Sequence, residues 1–382
     1  MTSQTRRIRF VQPDLTNEDI QAVVAALRAN HLGGNGAVGQ RVQAQLRGLI
    51  GTRHALLTTS CSHALEMAMM ALDIGAGDEV IVPSFAFVTA ASAIVRQGAR
   101  PVFAEIDEFT FNLDPDDVAR RITPRTRAVV CVHYAGQGCR MDELMALARR
   151  HDLYVVEDAA QAIGAGYGGR PLGTFGHAGC FSFHITKNII AGEGGAFVTG
   201  DDDIARRAEI IREKGTNRSA FLRGEVDKYS WVDVGSSFVP SDLLAALLGS
   251  QLARLEKITQ HRMALWDGYY EGMARLEETG LVIRPGLDPQ AEINGHIYAF
   301  RVAPGIRDRV IEGLKARGIE STFHFVPLHS SPYAQKAFGC HRDDLPVTER
   351  VAASLIRLPL HTQLSVDDIE FILEQLEQVL KE

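Results

Sequence analysis

Apolar and polar positions alternate along the chain in two rhythms. Between about residues 50 and 200, short apolar runs are separated by stretches with helical spacing. The runs "HALLTT", "DEVIVPS", "RPVFAEI", "RAVVCVHYA", "LYVVEDA" and "AGCFSF" predict strands, and "CSHALEMAMMAL" and "FVTAASAIVRQ" predict helices. "MDELMALARRH" predicts another helix, with apolar residues at Met141, Leu144, Met145 and Leu147. Strands alternating with helices imply an α/β fold: a mostly parallel, mixed sheet covered by helices on both faces. In such sheets ligands sit beyond the carboxyl ends of the strands, so chemistry is sought in the loops that follow them.

After about residue 240 the rhythm changes. "DLLAALLGSQLARLEKI" predicts one long amphipathic helix with Ser241 as its N-cap. "HIYAFRVAP", the helical "DRVIEGLKARG", "STFHFVPLH" and a final helix "SVDDIEFILEQLEQVL" follow. We expect a large domain over residues 1–245, N-terminal segment included, and a smaller C-terminal α+β domain over 246–382.

Composition narrows the function classes. The 382 residues carry a net charge of -7 and 46% hydrophobic residues, and the sequence pI is about 6.0. That leaves no basic footprint for nucleic acid or an anionic membrane, so any anion site must be local. The five cysteines, at 61, 131, 139, 180 and 340, form no CxxC pair and read as reduced thiols of a cytoplasmic protein. The N-terminal "MTSQTRRIRF" has charge but no apolar core, so it is not expected to be a secretory signal. No apolar run approaches the ~20 residues that span a bilayer.

Several loops after strands carry candidate chemistry. Asp158 ends an apolar run, where a carboxylate serves either as a helix cap or as the partner of a cation. In "TTSCSHALEM" a strand gives way to a helix through Ser60 and Ser62; its free N–H groups suit a phosphate, or the serines merely cap it. Phe87 follows another strand, where it could stack on a flat ligand or pack in the core. Lys187 lies just past "AGCFSF" and before "AGEGGAF", whose glycines allow close backbone approach or positive φ. A lysine confined in a site can attack an aldehyde. Each feature alone has a bland explanation, but all share one sheet edge. Together they supply what pyridoxal phosphate requires: an amine for its aldehyde, a carboxylate for its ring nitrogen, and an anion site for its phosphate.

The block "EDAAQAIGAGYGGRPLGTFGHAGCFSFHITKNIIAGEGGAF" resembles the signature of the DegT/StrS sugar-nucleotide aminotransferases, and the similarity runs from "FVQPDL" to the C-terminal helix. The resemblance implies the pyridoxal-phosphate fold type I. It implies that Lys187 bonds the cofactor and shuttles protons, that Asp158 pairs with the pyridine nitrogen, and that Gln161 reaches the ring hydroxyl. Phe87 would stack on the ring. The amides of Cys61 and Ser62 and the hydroxyls of Ser62 and Ser182 would bind the phosphate. His184 belongs to the motif, with a structural hydrogen bond as its expected role. Many members have Gly-Thr where this chain has Cys61-Ser62. Many also carry an asparagine reaching across a dimer to the phosphate, where "GSSFVP" here offers Ser237. A homodimer with shared sites is implied.

One branch of the family is more similar. "AEIIREKGTNRSAFLRGEVDKYSWVDVGSS", "PSFAFV" and "VHYAG" resemble the transaminases that form dTDP-4-amino-4,6-dideoxygalactose. These move the amino group of L-glutamate to C4 of dTDP-4-keto-6-deoxy-D-glucose, in service of surface polysaccharide synthesis. Lys214, Arg218, Arg223 and Lys228 then form a local positive cluster for a diphosphate or carboxylate, with a solvated or dimer-contact loop as the alternative. His324 and His329 in "FHFVPLH" are candidates to face the site. The alternatives are amination at C3, a non-catalytic regulator of the same fold, and a dehydratase branch that has histidine in place of the lysine. "GAGYGG" at 164–169 lacks the strand–helix setting of a dinucleotide fingerprint. No metal site is expected.

Overall fold

A computed structural model describes residues 6–382. The expectation that no secretory signal is present rests partly on residues 1–5, outside the described residues. The larger unit is built on a seven-stranded sheet. In chain order its strands are β1 (His54–Thr58), β2 (Glu79–Pro83), β3 (Arg100–Ala104), β4 (Thr126–Val132), β5 (Tyr154–Asp158), β6 (Ala178–Ser182) and β7 (Gly195–Thr199). Their spatial order is β1-β7-β6-β5-β4-β2-β3. All are parallel except β7, which runs antiparallel to both β1 and β6.

The near-continuous apolar runs follow from burial on both faces. On one face Leu57, Ile81, Val129 and Val155 pack together; on the other Leu56, Val80, Val130 and Val156 do. Each such side chain contributes about 1.5–3 kcal/mol by leaving water. Because β1, β2, β4, β5 and β6 point the same way, the loops after them converge at one edge.

The predicted long helix is broken. It forms two, Asp242–Leu252 and Leu255–Gly272, joined at Ala253 and Arg254. Ser241 precedes the first, but its side chain makes no cap hydrogen bond. Asp242 instead accepts the free N–H groups of Gly36, Val38 and Gly39, at the start of the helix Ala37–Ile50. The helix Asp242–Leu252 thus runs unbroken across the expected 245/246 division, and Ala245, Leu248 and Leu252 belong to the larger unit's core. Ile8, near the start of the chain, lies against the smaller unit. It bridges Ile319 and packs in the core of the smaller unit.

The smaller unit has a three-stranded antiparallel sheet of β8 (Val282–Ile283), β9 (Tyr298–Val302) and β10 (Leu355–Leu358), with β9 in the middle. The final helix, Val366–Lys381, begins with a capping box in which Ser365 and Asp368 satisfy each other's backbone N–H. Among the described residues no helix is long and apolar enough to cross a membrane.

Candidate active site

The converging loops line a cavity of about 630 Å³. Its wall includes Cys61, Ser62, Phe87, Asp158, Gln161, Ser182 and Lys187. These expected residues come from the ends of four strands, β1, β2, β5 and β6, and the sheet brings them together.

Asp158 ends β5. Its Oδ1 accepts the Ala160 N–H at 3.1 Å and lies 3.9 Å from the Cys61 thiol. Burial pushes its carboxyl above the usual range, partly offset by the Ala160 N–H and Lys187. Burial equally holds the Lys187 amine below the usual lysine range, with Asp158 opposing. A buried acid and a desolvated amine in one cavity form a perturbed pair of the kind found where chemistry is done. Gln161 accepts the Ala135 N–H through Oε1 at 2.7 Å, and Ala135 adopts a positive φ of 59° to present it. That contact fixes the amide so that its NH₂ group remains as a donor for the cavity.

The helix Cys61–Ala71 starts at the cavity floor. Ser60 spends its hydroxyl on the cap, accepting the His63 N–H at 3.1 Å. The N–H groups of Cys61 and Ser62 precede the first intrahelical bond and stay free for an anion. The Ser182 hydroxyl, at the end of β6, accepts only a long 3.4 Å contact from the His184 N–H. An anion cup beside a buried acid and an amine fits pyridoxal phosphate. Cys61 and Ser62 would hold the phosphate by their amides, Ser182 would add a hydroxyl, Asp158 would face the ring nitrogen and Lys187 the aldehyde.

β7 positions this cup. A Cβ on Gly195 would stand 2.4 Å from the Ser60 carbonyl carbon and 2.5 Å from the Cys61 nitrogen. Both are backbone atoms, so an added methyl must displace the helix start. Gly195→Ala should therefore weaken pyridoxal phosphate binding at least ~10-fold, the loss of about one charge-assisted hydrogen bond. Fluorescence titration of the apo-protein measures this; an unchanged affinity refutes the role given to β7.

His184 makes local hydrogen bonds at the lysine turn. Its Nδ1 lies 2.9 Å from Thr186 Oγ1, and its carbonyl accepts the Lys187 N–H at 2.9 Å, closing the turn that presents the lysine. Phe87 is 57% exposed on the cavity wall, with Phe325 6.5 Å away, ring to ring.

Other expected residues lie elsewhere. His329 is 1% exposed and bonded to Ser84 Oγ (2.7 Å) and the Arg342 carbonyl (3.1 Å), away from the cavity. His324 does reach the cavity, and its Nδ1 lies 2.7 Å from the Tyr134 hydroxyl. Ser237 is exposed, bridges Glu213 through its backbone and does not line this cavity. Lys214 and Lys228 are exposed outside it. Arg218 pairs with Glu213, and Arg223 with Glu209 and Glu225, so acidic neighbours partly neutralise the expected positive cluster.

Apart from His324, the contribution of the smaller unit was not foreseen from the sequence. Asn188, next to the lysine, donates to the Asn294 carbonyl at 3.0 Å, and its Oδ1 lies 2.8 Å from His296 Nδ1. Thr322, Phe323 and Arg357 also line the cavity. Only the polar "KN" ahead of the apolar "II" hinted at this docking.

Comparison with known proteins agrees with the geometry. Residues 13–377 match the model of the DegT/DnrJ/EryC1/StrS aminotransferase family. The spore coat polysaccharide biosynthesis protein SpsC of Bacillus subtilis is 35% identical, over 97% of this chain and 96% of its own. The GDP-perosamine synthase of Caulobacter vibrioides is 34% identical, over 99% and 100%. Among solved structures, S. venezuelae DesV in complex with a ketimine intermediate is 33% identical, with a TM-score of 0.90 over 99% and 100% of the two chains. The PLP form of the putative sugar aminotransferase Spr1654 from Streptococcus pneumoniae has a TM-score of 0.91 at 27% identity, over 98% and 99%. The chain belongs to the DegT/DnrJ/EryC1/StrS family and is a pyridoxal-phosphate-dependent sugar aminotransferase.

Proposed function

We propose that the chain transfers the amino group of L-glutamate to C4 of dTDP-4-keto-6-deoxy-D-glucose, giving dTDP-4-amino-4,6-dideoxy-D-galactose and 2-oxoglutarate. The observation that carries the transamination is the gathering of Lys187, Asp158, Gln161 and Ser182 around one cavity. The choice of sugar rests on the resemblance of residues 208–237 to one branch of the family.

Bound pyridoxal phosphate supplies an electron sink for the carbon that bears the amino group. The protein's own residues do the rest. The desolvated Lys187 amine takes a proton from the donor's α-carbon and returns one to the acceptor's carbon. Asp158 keeps a positive charge opposite it favourable. The amides of Cys61 and Ser62 anchor the far end, so the reacting carbon meets the lysine in a fixed orientation. Donor and acceptor occupy the same cavity in turn.

We read the protein as a cytoplasmic homodimer. All five cysteines are free, which suits a reducing compartment. Val232, Val234 and the 79% exposed Trp231 form an apolar run near Ser237, suited to cover by a second copy. A monomer in sedimentation analysis would remove that part of the reading.

The name of the Caulobacter relative favours a second reading, a GDP-linked sugar. Incubation with glutamate and dTDP- or GDP-linked 4-keto and 3-keto sugars, followed by NMR of the products, separates the readings. The expected product carries the new amine at C4, axial as in galactose, on the dTDP sugar alone. Amination at C3, or of the GDP sugar only, overturns the assignment.

A further inference from the structure

Among the described residues, one cluster of metal-ligating side chains stands apart from the cavity. A ligand atom from each of Cys131, His133 and Cys139 lies within 4.8 Å of the other two, and all three residues are fully buried. Local geometry builds the cluster. Side chains alternate along an extended chain, so Cys131 in β4 and His133 just past it share a face. Val132 between them turns the other way and lines the cavity. Ala135 and Gly136, with φ of 59° and 79°, then fold the chain back. Cys139 returns beside His133 and donates its backbone N–H to Nδ1 at 3.2 Å. The spacing contains no CxxC, which is why the sequence alone suggests no metal site.

The surroundings favour a cation. Glu157 is buried, and its carboxylate accepts the N–H groups of Gly173 (2.7 Å) and Gly176 (2.6 Å). Its Oε2 lies 2.9 Å from His133 Nε2. Among the described residues no lysine or arginine pairs with it, and His133 is its one basic neighbour. His133 therefore donates from Nε2 to Glu157, while Nδ1, which accepts an N–H, keeps its lone pair on the side of Cys139. Metal-binding histidines are held in this manner, with one nitrogen for the metal and the other donating to a carboxylate. Met141 adds a thioether, its Sδ 3.9 Å from Cys131 Sγ.

We propose that Cys131, His133 and Cys139 bind a thiophilic d10 metal ion, zinc(II) or copper(I), as a structural clamp outside the catalytic cavity. With no two ligand atoms more than 4.8 Å apart, one point lies within about 2.8 Å of all three, so a small inward shift reaches the bond lengths of about 2.3 Å to sulfur and about 2.0 Å to nitrogen. Binding releases the two thiol protons to water. The two thiolates then cancel the charge of zinc(II), as a buried site requires. Sulfur ligands disfavour magnesium and calcium. The ion ties Cys131 and His133, at the root of the loop, to Cys139 at its end. That loop presents the Ala135 N–H that fixes Gln161, so the clamp supports the cavity without entering it.

The test uses the holoenzyme, purified without chelator or metal-affinity tag from cells grown with added zinc and with added copper. Two variants accompany it, Cys139→Ser and, as a control, Cys180→Ser. Cys180 is equally buried but lies outside the cluster. Elemental analysis should find about one zinc or copper per wild-type chain, and X-ray absorption at that metal's edge should show two sulfur neighbours at about 2.3 Å and one nitrogen at about 2.0 Å. The edge identifies the ion. Metal content should fall at least ~10-fold in Cys139→Ser with its circular dichroism unchanged, and Cys180→Ser should match the wild type. Should Cys139→Ser fail to fold, the wild-type absorption spectrum decides alone. Wild-type protein with less than about 0.1 metal per chain from both media overturns the proposal. So does a metal with only nitrogen and oxygen neighbours, which marks an adventitious ion, or a folded Cys139→Ser with undiminished metal.

Discussion

Replacing Lys187 by alanine should lower turnover at least ~10⁴-fold, the upper range for loss of a positioned proton carrier. The amine is desolvated, and burial lowers its pKa, so more of it is the free base that bonds an aldehyde and takes a proton. No other residue in the cavity duplicates it: His296 and His324 are held neutral and are engaged by Asn188 and Tyr134. The fold should survive, because the lysine loop is held by its backbone and by Asn188 rather than by the amine. The variant should still bind pyridoxal phosphate through the Cys61–Ser62 cup but lose the yellow absorbance of the lysine-bound cofactor. Absorbance spectra and single-turnover assays with glutamate test both statements. Full turnover in the variant would exclude the mechanism.

Replacing Asp158 by asparagine should separate activity from stability. The side chain keeps its shape and can still accept the Ala160 N–H. It loses the charge that favours a protonated ring nitrogen. Breaking a buried pair in this way costs about 3 kcal/mol or more, which is roughly 100-fold or more in rate. The apo-protein should respond oppositely. Its Asp158 carboxyl is raised above 3.8 by burial, so the folded state holds the proton more tightly than the unfolded one. The ionised acid therefore destabilises the fold at neutral pH, and this penalty disappears as pH falls through the raised value towards 3.8. The asparagine variant lacks the penalty. Its apo form should unfold at an equal or higher temperature than wild type at pH 7, with the difference closing in acid. An apo form markedly less stable at pH 7 would contradict this reading of Asp158.

Much of this arrangement was legible in the sequence, for physical reasons. Strands β2, β4 and β5 are buried on both faces, so their apolar runs are unbroken and hard to misread. The side chains that end them, Asp158 among others, stand at the ligand edge by topology alone. Other parts were hidden. "GGAFVT" looks like a flexible tail because β7 begins with the glycine that must pass against the Ser60–Cys61 backbone. The apolar face of residues 242–258 continues through Ala253 and Arg254, so periodicity could not reveal the break between two helices. Arg357 sits in "SLIRLPL", a pattern that fits any half-buried strand. Its place on the cavity wall is disclosed only by its three-dimensional neighbours. His329 is a candidate to face the site because nothing in "FHFVPLH" announces that Ser84 will engage it in the interior.

The single antiparallel strand also orders events during synthesis. β1 lies at the sheet's edge and pairs only with β7. A ribosome that has delivered the chain through β6 has released five adjacent strands that can zip together, while β1 and the helix it feeds still have no partner in the sheet. That gap of more than a hundred residues makes the last pairing a slow, non-local closure. Until it occurs the cup of Cys61 and Ser62 has no backing from Gly195. The nascent protein should thus acquire its affinity for pyridoxal phosphate in one late step, after the lysine that receives the cofactor has already been made.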